Sequence, residues 1–101
     1  MWVFVAFDLP TTTKDERRIA TRFRNDLLEL GFSRFQYSIY SYYVVSKGIA
    51  DTVATRIMYL VPANGHVSVF FITEKQFGMI RNYHGRKSVR VDPPEQGVFI
   101  F

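Results

Sequence analysis

Asp8 closes an unbroken apolar run, Trp2 to Phe7, and is followed at once by Leu9 and Pro10. A carboxylate in that place has two readings. It can cap the turn into Pro10 by accepting from nearby amides, or it can ligate a divalent cation. Mg²⁺ takes one or two carboxylates together with substrate phosphates and several waters. One Asp is therefore a thin site, and a twofold dimer that brought Asp8 of each subunit towards one axis would supply the pair. The other acids offer less: Asp15, Glu16, Asp26 and Glu29 fall on a segment of helical periodicity, where they offset neighbouring Arg residues or the helix dipole. His66 follows a turn signal and His84 lies in an aperiodic stretch, with no ligand spacing between them. Both read as solvated or locally bonded side chains. With no general base in view, hydrolytic chemistry here rests on the metal.

Basic residues form two groups. Lys14, Arg17, Arg18, Arg22 and Arg24 lie away from the apolar stripe of their segment and read as an exposed, arginine-rich helix face. An ordinary solvated face with ion pairs would look the same, but the guanidinium fork suits phosphate oxygens. Arg81, Arg86, Lys87 and Arg90 make a second group in an aperiodic stretch with no acid before Asp92. The net charge of +4 fits a polyanionic partner. Contacts of this kind give salt-sensitive affinity without reading sequence. Phe35, Tyr37, Tyr40 and Tyr42 raise base stacking on a sheet as an alternative, yet the signature of an RNA recognition motif is absent from every strand candidate.

These side chains need a frame. The 101 residues make one domain. The absence of cysteine removes disulfides and thiolate metal sites and leaves a reduced cytoplasm as the default. The N-terminus lacks a basic flank and a cleavage site, and Asp8 arrives too soon for a membrane span. Trp2 to Phe7 reads as a buried strand. Thr13 and Glu16 have capping-box spacing, and Ile19, Phe23, Leu27 and Leu30, with Ala20 beside them, mark one helical face that Gly31 ends. From Phe32 to Val45 the pattern alternates as in a single half-exposed strand, with a bend or bulge expected near Tyr42 and Tyr43. Ile49, Val53, Ile57 and Leu60 mark a second helix ending before Pro62, and Asn64 with Gly65 turns the chain into the strand "HVSVFFIT". Thr73 and Gln76 start a short helix, and "GVFIF" closes the chain as a last strand. The order predicts an α+β sandwich of ferredoxin-like type with helices on one face of an antiparallel sheet. No further helix is in view for the other face, so a second copy of the chain is its expected cover, giving a homodimer.

"VFVAFDLP", "ERR", "RFRNDLLELGF", "QYSIYS", "TEKQF" and the terminal "IF", in this order, resemble the small CRISPR-associated adaptation protein, in the form found with a single large RNA-guided nuclease. The resemblance spans essentially the whole chain. It implies a ferredoxin-like βαββαβ homodimer whose extra C-terminal strand, within 81–101, adds to the partner subunit. It also implies a Mg²⁺-dependent endonuclease of RNA or DNA, with Asp8 in the position of the metal-binding Asp. Arg17 and Arg18 match the family's basic pair by position. Many relatives carry Tyr before this Asp, where the chain has Phe7. The same resemblance implies, as the leading expectation, a role in CRISPR adaptation: the dimeric partner of the spacer integrase, which bridges the integrase complex and holds the duplex DNA that becomes a new spacer. A free-standing ribonuclease toxin of the same fold is the alternative that such a resemblance leaves.

Overall fold

A computed structural model describes residues 1–85. Its element order is β1 (Trp2–Asp8), α1 (Lys14–Leu30), β2 (Ser33–Gln36), β3 (Ile39–Tyr43), α2 (Lys47–Met58), β4 (His66–Ile72) and α3 (Glu74–Gly78). The strands form one sheet in the order β2-β3-β1-β4, with every neighbouring pair antiparallel. This is the ferredoxin-like arrangement expected from the sequence. The terminal strand "GVFIF" lies outside the described residues.

Side chains alternate across a strand, and in β1 this sends Val3, Val5 and Phe7 towards the helices. There they join Phe23 and Leu27 of α1, Tyr40 of β3, and Ala50, Val53 and Ile57 of α2 in one core. In each helix the buried line is Ala, then an apolar residue three on, then another four on: Ala20, Phe23, Leu27 and Ala50, Val53, Ile57. Ile19 and Ile49, expected in the core, are instead 39% and 44% exposed. The neighbouring Ala20 and Ala50 are fully buried in their place.

The caps follow the sequence signals. Thr13 and Glu16 form a reciprocal capping box at the start of α1. At its end the Gly31 amide donates to Leu28 O and the Phe32 amide to Leu27 O, a Schellman closure. Gly31 has φ +111, and a Cβ there would stand 2.8 Å from the Tyr42 ring, so only glycine fits.

Three expectations are corrected. The segment from Phe32 to Val45 is a hairpin, not one strand: the chain turns at Tyr37 and Ser38. The irregularity lies at Arg34 to Gln36, where the register with β3 shifts, while Tyr42 and Tyr43 pair regularly with Val3 and Trp2. The sheet's second face also has cover from within the chain. Phe77 of α3 stacks on Trp2 with ring centroids 3.9 Å apart and 8° between planes, and Phe4 is enclosed by Phe35, Phe70 and Phe77. The Tyr43 hydroxyl donates to Glu74 and pins α3 over that end of the sheet. Among the described residues, the opposite end of the same face, around Asp8, stays open.

Candidate functional site

Alternation along β1 places Trp2, Phe4, Ala6 and Asp8 on the face away from the two long helices. Asp8 is exposed, and its side chain makes neither a hydrogen bond nor an ion pair with the described residues. The turn-cap reading therefore does not describe it. Its carboxylate borders an open depression of about 270 Å³ that is also lined by Ala6, Ser38, Ile39, His66 and Ser68. Phe7 points the other way: it is buried against Phe23 and Tyr40, so its ring belongs to the core.

Two contacts fix the main chain at Asp8. The Phe7 amide donates to Ser38 O across the end of the sheet. Gly65, at φ +127, brings the turn before β4 so close that a Cβ would meet Leu9 Cδ2 at 2.5 Å and Asp8 O at 3.2 Å. The Asn64–Gly65 turn thus does more than reverse the chain, because it backs the strand end that carries the carboxylate. It also starts β4 in the register that sets His66 opposite Asp8. Nothing in the spacing of the sequence links His66 to Asp8. Only the strand pairing brings the two together.

No group of three or more His, Cys, Asp or Glu side chains able to hold a metal exists among the described residues. One exposed, unpaired carboxylate beside an open depression nonetheless suits Mg²⁺, a hard ion that retains waters and needs only one or two carboxylates. The residues present fit the ion as a partial site, in which Asp8 would be the ligand.

The basic residues of α1 divide by what they already touch. Lys14 and Arg22 are exposed and have no hydrogen bond or ion pair with the described residues. Arg17 donates from one guanidinium nitrogen to Thr11 O at 3.1 Å and Thr12 O at 3.0 Å, tying the loop after Asp8 to the helix. Arg18 pairs with Asp15 at 2.6 Å on an exposed surface, an interaction worth about 0–1 kcal/mol. Lys14, Arg17 and Arg18 border one open surface groove together with Thr21. Arg24 departs from the expected exposed face. It is half-buried with its guanidinium over the rings of Phe7 and Tyr37, and its Nε has no partner. Arg34 lies over the same Tyr37 ring at 5.5 Å, a stacking partner that strand alternation does not reveal. Arg81 is exposed, and Arg86, Lys87 and Arg90 lie outside the described residues.

The family model for "CRISPR associated protein Cas2" matches residues 1–80, which include β1 to β4 and α1 to α3. The chain belongs to the Cas2 family. A CRISPR-associated endoribonuclease Cas2 of Flavobacterium psychrophilum is 45% identical over 101 residues, covering 100% of this chain and 88% of the relative. One from Parvibaculum lavamentivorans is 47% identical over 87 residues, 86% of each chain. Neither relative is named as a toxin. The fold agrees with the crystal structure of Streptococcus pyogenes Cas2 at pH 6.5, with a TM-score of 0.62 at 15% identity over 83% of this chain and 100% of that one. No helix among the described residues of this Cas2-family chain is long and apolar enough to cross a membrane.

Proposed function

We propose that this chain is a divalent-metal-dependent phosphodiester hydrolase acting on RNA or DNA, with Asp8 as the metal ligand and a second Asp8 supplied by a homodimer. The observation that carries this is the state of Asp8: exposed, its side chain unpaired among the described residues, and held at a strand end beside an open depression. Asp8 would hold the divalent ion, which would supply Lewis-acid polarisation of a phosphoryl oxygen, and the open sheet end admits a polymer backbone where a closed pocket would not. Lys14, Arg17, Arg18 and Arg22 attract and orient that backbone through its phosphates. The names of the relatives support the reaction class. Mg²⁺-dependent cleavage by purified protein that disappears in Asp8→Asn is the test, and cleavage that survives refutes it.

A second role rests on a separate observation, the unpaired cations Lys14 and Arg22 on α1. As a dimer the chain presents this face twice and holds a DNA duplex for the spacer integrase during CRISPR adaptation. That role does not use the metal. Its test is spacer acquisition in cells carrying Asp8→Asn, which persists, against cells with the α1 cations neutralised, which lose it.

A further inference from the structure

We infer that His66 is a second ligand of the Asp8 cation, which makes the site a mixed nitrogen and oxygen site with a preference for transition-metal ions over Mg²⁺. The inference rests on the metal-dependent reading of Asp8 given above and adds the identity of a donor and of the ion. Asp8 and His66 are direct partners in the antiparallel β1–β4 ladder. Residues paired in this way have Cβ atoms about 4.5–5.5 Å apart and side chains on the same face. Both side chains are exposed and both border the same depression. The next pair along the ladder on this face is Ala6 with Ser68. Ala6 leaves the space above the sheet clear, while Ser68 does something specific.

Ser68 Oγ lies 3.4 Å from His66 Nε2. With that nitrogen turned along β4 to the hydroxyl, Nδ1 is the ring atom left for a ligand. A ligating imidazole ordinarily has its other nitrogen engaged by a nearby oxygen, which sets the tautomer and the ring plane. Ser68 is placed to do this for His66. One carboxylate and one imidazole per protomer form a set that Mn²⁺, Co²⁺ or Ni²⁺ accepts better than Mg²⁺, which prefers oxygen donors throughout.

The test is calorimetric titration of the full chain with Co²⁺ and, separately, with Mg²⁺, with the visible spectrum of bound Co²⁺ as a second readout. The variants are His66→Gln, His66→Ala, Asp8→Asn and His84→Gln, the last because the chain has two histidines. Wild type and His84→Gln bind Co²⁺ with equal affinity. The two His66 variants lose about tenfold or more in Co²⁺ affinity, the scale on which even outer-shell partners of a metal act. Their Mg²⁺ affinity stays at the wild-type level, and Asp8→Asn weakens both ions. Co²⁺ affinity and spectrum unchanged in both His66 variants overturn the inference, as does loss of Co²⁺ binding in His84→Gln alone. These titrations do not depend on cleavage. Co²⁺ binding lost in Asp8→Asn but kept in His66→Gln overturns the role of His66 and leaves the hydrolase proposal standing, whereas Mg²⁺-dependent cleavage surviving Asp8→Asn refutes the hydrolase.

Discussion

Replacing Gly65 by Ala should unseat the strand end that carries Asp8. The backbone there has φ +127, a conformation that costs a residue with a side chain about 1–3 kcal/mol. The added Cβ would also stand 2.5 Å from Leu9 Cδ2 and 3.2 Å from Asp8 O. The leucine tip can swing aside but the carbonyl cannot, which puts the overpacking cost near the low end of about 1–3 kcal/mol. Together these give a loss of about 2–4 kcal/mol, a large share of the roughly 5–15 kcal/mol that holds a domain folded. For a domain of this size that is a fall in melting temperature of roughly 10–25 °C. Gly78 provides the control, since its φ is not positive and a methyl group on its Cα would meet nothing within 4 Å. Gly78→Ala should be neutral or more stable by up to about 1 kcal/mol, because alanine is the better helix former. Thermal and urea denaturation measure both. A Gly65→Ala variant that melts with wild type refutes the account of how the turn supports Asp8.

Phe77→Ala removes the ring stacked on Trp2 and should cost about 1.5–3 kcal/mol, below the full core value because Phe77 is only half-buried. The chain has a single Trp, so its fluorescence reports the change: emission should shift to the red in folded protein, and an unshifted spectrum would show that α3 does not cover Trp2. Tyr43 is held neutral above its ordinary pKa of 10.0 by its hydrogen bond to Glu74, by partial desolvation and by the Glu74 charge. Because the folded-state pKa is raised, the contribution of this bond is complete below pH 10.0 and is lost as pH rises through the folded value. Ultraviolet difference titration against Tyr43→Phe should therefore find this tyrosine ionising above pH 10.0, and ionisation at or below it would contradict the hydrogen bond. Lys14→Ala with Arg22→Ala should weaken nucleic-acid binding uniformly across sequences and reduce the salt slope by about 1 for each phosphate no longer neutralised. Arg17 is a poorer choice, since it also ties down Thr11 and Thr12, and an unchanged salt slope would remove α1 from the interface.

Much of the fold is legible in the sequence because local signals agree. Capping boxes at Thr13 and Thr73, the glycine after Leu30 and the apolar runs of β1 and β4 each mark an element that the structure contains. The hairpin is not legible, for two physical reasons. Its turn uses Tyr37 and Ser38, without Gly, Pro or Asn, and a lone Ser is a weak turn signal. The register shift between Arg34 and Gln36 also leaves the sequence alternating where the strands do not. Helical stripes locate α1 and α2 but assign Ile19 and Ile49 to a core in which Ala20 and Ala50 are buried instead, because periodicity gives a face only to within about one residue. Asp8 can be read from sequence as the end of a buried strand. His66 cannot, since its place beside Asp8 depends on the pairing of β1 with β4, two strands far apart along the described chain. Helical spacing puts Arg24 on the exposed face, and the structure differs because the aromatic rings that cover it, Phe7 and Tyr37, come from β1 and the hairpin turn.

Asp8→Asn is a clean substitution here, since the side chain is exposed and unpaired among the described residues and its loss should change stability by no more than about 0.5 kcal/mol. Single-turnover cleavage of RNA and of duplex DNA, in Mg²⁺ and in chelator, therefore reads the chemistry without a folding defect in the way. Wild-type protein should cleave only with the metal, and Asp8→Asn should be slower by about a hundredfold or more, the scale expected when several kcal/mol of charge stabilisation is removed. Cleavage by Asp8→Asn at the wild-type rate, from protein that melts with wild type, would contradict the assignment of this strand end as the metal site.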